Sequence, residues 1–431
     1  MTSRPEPHPV DGRRIWILNH YAETPGHPGG TRHYSLARAA VELGADVTIF
    51  AAGTPHVSDR EDRVGSRRLA RSRLVDGVRF IWVRTTPYQG NTWRRMLNMI
   101  SYAALVLPVQ ARRPRPDVVV GSTVHPFAAL AGLIIAKARG VAFVYEIRDL
   151  WPQTLVDLGA MRATSPLARM LYRLEALLVR QADIVLSLLP GIGEYLRERG
   201  LPDGHVRYLP NGALQPGPAD PPVPATATAR LLERLAEQRQ QGEVVFAYVG
   251  AHGRVNRLDV VLEAFRLAQE RGAPPMALAL VGDGPEKPRL MELAERDGHR
   301  SVLFADPVPK LDVPALLANA DVGVVHTTST PVYRFGISFN KLFDYMAASL
   351  PVAFATSTAY DPVAASACGM SVEPDDPAAL ADVFIAMAEA GPDERSEMGR
   401  AGRTYLAEHH DMARLGRRFA DIVGDLAGQQ A

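Results

Sequence analysis

The sequence predicts an α/β protein of two doubly wound domains, each a parallel sheet with helices on both faces. Three observations carry this expectation. Short, nearly continuous apolar runs alternate with segments of helical spacing along the whole chain, the pattern of strands buried on both faces. At 431 residues the chain exceeds what one core comfortably fills, since domains average about 150 residues. A proline-rich stretch at 214–229, "LQPGPADPPVPATATA", splits the alternation in two, and its prolines cannot donate to a strand ladder.

In chain order the first series of strands reads "RIWILNH", "DVTIFAA", "VRFIWV", "DVVVGST", "AFVYEIRD" and "DIVLSLLP". The second reads "VVFAYVG", "MALALVGDG", "VLFADPV", "DVGVVHTT" and "PVAFA". The first domain then covers residues 10–213 and the second 240–400, with boundaries good to about 2–4 residues. In residues 401–425 Leu406, Leu415, Phe419 and Ile422 recur at helical spacing, and this helix is expected to pack across the junction of the domains. Two such sheets facing each other make a cleft where the carboxyl ends of the strands converge, so chemistry is sought in the loops after strands.

Composition narrows the class. With 47% hydrophobic and 22% charged residues the chain is an ordinary globular one. Lys plus Arg (48) balance Asp plus Glu (47), which argues against a nucleic-acid partner. A single cysteine, Cys368, excludes an internal disulfide and a cysteine zinc cluster and points to a reducing compartment, the cytoplasm. The N-terminal "MTSRPEPHPVDGRR" lacks the apolar segment of an export signal, and no apolar run reaches the roughly 18 residues of a spanning helix.

Three loops of the first series hold candidate residues. The first strand leads into His20 and Tyr21, then into Gly29 and Gly30 ahead of a helix, where backbone N–H groups suit a phosphate. His125 opens a small-residue helix, as a tunable hydrogen-bonding group or as its cap. "YEIRDLWP" crowds Glu146, Arg148 and Asp149 at a strand end, a set that can bind sugar hydroxyls or form a local ion network.

In the second series, "VGAHGRVNRLD" offers Arg254, Asn256 and Arg257 beside two glycines, as a diphosphate requires. "LVGDGPEKPRL" is no dinucleotide fingerprint, because its third glycine is missing. In "ISFNKLFDYMAAS" a cap by Ser338 or Asn340 would aim the first-turn N–H groups and Lys341 at one anion. Asp344 follows one turn on, about 5 Å along the axis, the reach from a phosphate to ribose hydroxyls. An ordinary surface pair of Lys341 with Asp344 would have the same spacing. No D-x-D pair stands beside a glycine-rich loop, so no metal is expected, and "EPDDPAAL" reads as a helix cap.

Taken in order, "PGHPGGTRHYSLARAAVELGADVTIF", "STVHPFAALAG", "YEIRDLWPQTLVDLG", "RYLPNGA", "VGDGPE" and "ISFNKLFDYMAASLPV" resemble family 4 retaining glycosyltransferases. The closest branch is the WbuB-like N-acetyl-L-fucosamine transferases of O-antigen and capsule assembly. The resemblance implies the GT-B fold of two facing Rossmann-like domains and a nucleotide-sugar donor, UDP-linked, without other cofactor. It implies an acceptor that is a saccharide, lipid-linked, in cell-surface polysaccharide assembly. Asp344 then takes the ribose, Gly29 and Gly30 face the diphosphate with Arg254, Asn256, Asn340 and Lys341, and His125 sits near the transferred sugar with Asp149. His20, Tyr21, Glu146 and Arg148 fall on the acceptor side. Where many relatives carry a glutamate eight positions before the ribose carboxylate this chain has Gly336, and the usual Arg and Lys clamp falls on Ala251 and Asn256.

A sugar-nucleotide 2-epimerase of the same fold, or a two-domain sugar-binding protein without turnover, would share many of these features. Residues 91–116 add an apolar body between Arg94, Arg95 and Arg112, Arg113, Arg115, a pattern that suits contact with an anionic membrane or a helix packed on the sheet.

Overall fold

The apolar runs form two sheets, each in its own unit of the chain. The computed structural model describes residues 8–27, 30–54, 63–65, 68–88, 93–123, 125–215, 226–298 and 301–429. One unit comprises Met1–Thr24, Gly29–Pro210 and Met412–Ala431, the other Pro25–Pro28 and Asn211–Asp411.

The first unit runs β1 (Arg14–Leu18), α1 (Arg32–Glu42), β2 (Asp46–Ala52), β3 (Ala70–Val75), β4 (Val78–Val83), α2 (Trp93–Ala111), β5 (Val118–Ser122) and α3 (Pro126–Arg139). It continues with β6 (Ala142–Ile147), α4 (Gln153–Asp157), α5 (Pro166–Gln181), β7 (Ile184–Ser187), α6 (Ile192–Glu198) and β8 (Val206–Tyr208). The sheet order is β3-β4-β2-β1-β5-β6-β7-β8, parallel except for the β3–β4 hairpin.

The second unit holds α7 (Thr226–Gln240), β9 (Val244–Val249), α8 (Leu258–Glu270), β10 (Met276–Val281), α9 (Lys287–Arg296), β11 (Val302–Ala305), α10 (Val313–Leu317) and β12 (Val322–His326). Then come α11 (Asn340–Ala347), β13 (Val352–Ala355), α12 (Pro362–Ser366), β14 (Gly369–Val372), α13 (Pro377–Glu389) and α14 (Pro392–His409), in an all-parallel sheet ordered β11-β10-β9-β12-β13-β14. The last helix, α15 (Met412–Gly428), belongs to the first unit.

Period-two burial explains the layering. Ile15, Ile17, Val47 and Ile49 face α1 and α15, whose Leu36, Ala40, Leu415 and Phe419 complete one core. Gly416 permits the crossing of those helices, since a Cβ there would stand 2.4 Å from that of Ala39. In β9, Val245 and Ala247 pack with Leu342 and Phe343 of α11, while Phe246 and Tyr248 join the core under α8 and α13. The closing stretch divides at His410 and Asp411, with α14 against α11 and α15 against α1.

The loops after β9 and β10 lie back to back. Gly250 donates to Val281, His252 to Asp283, and Glu286 to the carbonyl of His252. This requires glycine on the β10 side: a Cβ on Gly282 would sit 1.9 Å from the Gly250 oxygen, and one on Gly284 2.4 Å from that of His252, at φ +150° and +159°. Gly282→Ala is therefore expected to destabilise the protein by about 2 kcal/mol or more. An unchanged melting temperature would show that the loops can separate at no cost.

Candidate functional site

In the second unit α11 begins at Asn340, whose side chain is exposed. Neither Ser338 nor Asn340 caps the helix; Phe339 occupies the cap position without a side-chain bond. Ser338 is taken by Asn211, whose backbone N–H donates to Ser338 Oγ at 3.2 Å and whose Nδ2 donates to the Ser338 carbonyl at 2.7 Å.

Lys341 and Asp344 do not pair with each other. Lys341 Nζ donates to Tyr248 OH at 2.8 Å, reaches Asn256 Oδ1 at 3.4 Å and lies 4.0 Å from the Tyr248 ring centroid. Gly250 leaves room for it, as a Cβ there would be 3.1 Å from Lys341 Cε. Burial lowers the ammonium to about 7. Asp344 instead accepts from Lys310 Nζ at 2.6 and 2.5 Å.

The neighbouring arginines are compensated. Arg254, largely exposed, pairs with Glu286, and Arg257 with Asp259 and Asp375. A cavity of about 400 Å³ lined by Gly253, Arg254, Arg257, Asp259, Glu286 and Arg289 thus carries carboxylates of its own. Among the described residues Lys341 has no carboxylate in ion-pair contact, which singles it out. Asn256 is fixed through Nδ2 on the Ala251 carbonyl, and its own carbonyl accepts from His326 Nδ1. The Asp375 N–H meets His326 Nε2, so that ring is the neutral Nδ1–H tautomer, and burial lowers it to about 4. His252, fully buried in the same loop, has no hydrogen-bond partner for either ring nitrogen among the described residues, and burial ahead of Lys287 lowers it to about 4.

In the first unit the ends of β1, β5 and β6 bring His20, Tyr21, His125, Arg148 and Asp149 into the segments after strands, while Glu146 is still within β6, next to its last residue. His125 caps α3: its Nδ1 accepts from the Ala128 N–H, so Nε2 carries the proton and donates to His20 Nδ1 at 2.9 Å. Burial, then Arg95, lowers His125 to about 3, which keeps it neutral. Tyr21 OH accepts from Arg95 Nε at 3.2 Å.

Glu146, 1% exposed, gives Oε1 to Arg32 Nε at 3.0 Å and Oε2 to His33 Nε2 at 2.5 Å. Burial acts to raise its carboxyl, but His33 and Arg32 outweigh it and hold the group well below its ordinary range. The other Arg32 nitrogens donate to the carbonyls of Pro210 and Leu209. His33 Nδ1 accepts from Asn19 Nδ2, while Asn19 Oδ1 accepts from the Tyr21 N–H. Both Glu146 oxygens are therefore engaged in positioning the loop that bears Tyr21. Arg148, half-buried, donates its backbone N–H to Thr123 Oγ1, and Asp149 is exposed. Gly30 precedes α1; Gly29 lies outside the described residues.

Sequence reasoning missed Arg32, His33, Tyr248, Lys310 and His252. The first four announce themselves only through partners far along the chain. His252 stands in a loop already singled out, where its ring gave no local signal. Asp376 caps α13, as the "EPDDPAAL" motif suggests.

Residues 29–212 match the glycosyl transferase 4-like domain and residues 243–390 the glycosyl transferases group 1 domain, together roughly three quarters of the chain. The probable glycosyltransferase WbjE of Pseudomonas aeruginosa is 23% identical over 74% of this chain and 77% of its own. The putative colanic acid biosynthesis glycosyl transferase WcaI of Escherichia coli K12 is 27% identical over 59% of this chain and 62% of its own. Among solved structures, sucrose-phosphate synthase from Thermosynechococcus elongatus superposes with a TM-score of 0.70 at 17% identity, covering 97% of this chain and 100% of the other. WaaG, a glycosyltransferase involved in lipopolysaccharide biosynthesis, gives 0.63 at 19% identity over 95% and 99%. Anabaena HepE in complex with UDP-glucose gives 0.64 at 14% identity over 96% and 99%.

Glu146→Ala should remove about 3–5 kcal/mol of stability, because it leaves the Arg32 charge buried without its counter-ion. A carboxyl held below its ordinary value contributes stability above that value and loses it as pH falls through the lowered one. The excess of wild-type over variant stability should thus be full at neutral pH and shrink in acid. Equal urea midpoints for the two proteins at pH 7 would show the network to be slack.

Proposed function

We infer a sugar transfer from a chain that belongs to the glycosyltransferases of GT-B fold, a 4-like domain followed by a group 1 domain. The donor is a nucleotide-diphosphate sugar, UDP-linked; the acceptor is a hydroxyl of a lipid-linked saccharide; the anomeric configuration is retained. The work is cytoplasmic, at the inner face of the cell membrane, in cell-surface polysaccharide assembly. The names of the relatives WcaI and WaaG support the pathway class, and the UDP-glucose complex of HepE supports the base. N-acetyl-L-fucosamine is the sugar suggested by the motifs.

One observation carries the reading: the half-buried ammonium of Lys341, which has no carboxylate in ion-pair contact among the described residues, beside Gly250 at the carboxyl end of β9. A diphosphate supplies the missing counter-charge, and the absent Cβ at Gly250 lets the lysine side chain lie against the strand end to meet it. As the glycosidic bond breaks, negative charge grows on the departing diphosphate, and a pre-placed ammonium stabilises it more than the ground state. Asn340, Asn256 and Arg254, with Gly29 and Gly30, complete the donor contacts, and Asp344 exchanges Lys310 for ribose hydroxyls. His125 and Asp149 attend the transferred sugar, with His20, Tyr21 and Arg148 toward the acceptor. Glu146 positions that loop from beneath.

UDP should raise the melting temperature more than GDP or dTDP at equal concentration, by mass action on the native state. Incubation with UDP-sugars and a lipid-linked acceptor should release UDP, and EDTA should leave that release intact. Loss on chelation with rescue by manganese would overturn the metal-free mechanism.

Lys341→Met should weaken UDP binding about 10–100-fold, the worth of a charge-assisted hydrogen bond. Because the free ammonium titrates at about 7, an anion that needs the charged form takes up a proton on binding. UDP affinity should then fall by up to about tenfold per pH unit above that value in wild type and stay flat in the methionine variant. A flat wild-type profile in calorimetry would remove Lys341 from the diphosphate contact.

A further inference from the structure

The helical layer of α2, α3 and α5 in the first unit has an outer face that the transfer reaction does not use. α2 packs beside α3, and α3 beside α5. Met99, Tyr102 and Val106 make the buried face of α2, yet its opposite face is apolar too. Trp93, Leu97, Ile100, Ala104 and Pro108 follow one another at helical spacing, and all are exposed, Trp93 by 69%. On α3, Ile134 is exposed. On α5 a second stripe runs through Leu167, Met170 and Leu177. These three helices hold half of the large hydrophobic side chains that are exposed among the described residues, whereas such side chains are ordinarily scattered singly.

Charge on the same face is one-sided. α2 and α3 contain no acidic residue at all, and α5 has only Glu175, which is buried and raised by that burial to about 7. Against these stand Arg94, Lys137, Arg169, Arg173 and Arg180, all exposed. In a chain with 48 basic and 47 acidic residues this is a strong local excess. Long basic side chains can lay their stems on apolar surface and hold their heads at a phosphate layer, while a tryptophan favours the same interface. A second copy of the chain would set like charge against like.

We infer that the outer face of α2, α3 and α5 docks on an anionic lipid bilayer, its apolar side chains entering the headgroup boundary and its arginines meeting lipid phosphates. Among the described residues no helix is long and apolar enough to cross a membrane. The contact is therefore interfacial, and both α2 and α5 take part.

The test is flotation of the full chain with vesicles of phosphatidylcholine alone or mixed with phosphatidylglycerol, without nucleotide or acceptor. Binding is expected to the mixed vesicles only and should be reversed by salt. Leu97→Gln with Ile100→Gln, and separately Arg169→Glu with Arg173→Glu, should each weaken it about tenfold or more, with circular dichroism and melting unchanged. Absence of flotation, or equal flotation with neutral vesicles, would overturn the inference. Loss with the α2 pair alone would confine docking to that helix and refute the role of α5. A dimer in sedimentation that the α2 pair dissolves, without flotation, would assign the face to a second copy. The UDP-induced melting shift should be the same in all these proteins, so failure here is distinct from failure of the transfer reading.

Discussion

A carboxylate shut away from water organises the first unit. An ionised group at the Glu146 position would cost several kcal/mol if it stood alone, so its surroundings must provide full compensation. Arg32 and His33 provide it, and they are the first two residues of α1. The ion cluster thereby ties the end of β6 to the start of α1. Through Asn19 it reaches the loop after β1, and through the carbonyls of Leu209 and Pro210 it holds the point where the chain leaves the unit. The two loops that carry His20 with Tyr21 and Arg148 with Asp149 share one buried anchor.

The second unit treats the half-buried charge of Lys341 in the opposite way. Lys341 is surrounded by a phenol, an amide and a glycine, with burial pressing it toward neutrality. The arginines nearby are neutralised by their own carboxylates, so they contribute field without a strong demand for an anion. The contrast separates strut from ligand-binding group on physical grounds. A satisfied buried charge holds structure, and an unsatisfied one attracts a partner.

Much of this was legible in the sequence, and the limits have physical causes. Every strand read from an apolar run is present, because burial on both faces leaves a continuous signal. β3 was missed since "ARSRLV" lies at an edge with its arginines in water, and β8 and β14 since they are only three and four residues long. The positions of His20, Tyr21, His125 and Asn256 after strands followed from topology, and that of Lys341 in the first turn of α11 from helical spacing. What side chains do there depends on partners at long separation. Glu146 reads as a ligand-binding carboxylate until Arg32, 114 residues away, is seen beside it. Ser338 reads as a helix cap until Asn211, 127 residues away, takes it.

The placement of α15 has a consequence for how the protein comes into being. Its Leu415, Phe419 and Val423 belong to the core around Ile15 and Ile17, and its Gly424 lies against Pro9, so segments that precede and follow the second unit in the sequence finish one another's packing. Ribosomes deliver these segments in sequence, with the whole Asn211–Asp411 unit between them. At about 5–20 residues per second that interval is on the order of tens of seconds, during which the inner face of α1 has no helix to cover it. The second unit can close as soon as it emerges, whereas the first, begun earlier, must wait for α15. A nascent chain of this design exposes its older half longest, and its need for chaperoning falls on the apolar surface that α15 will occupy.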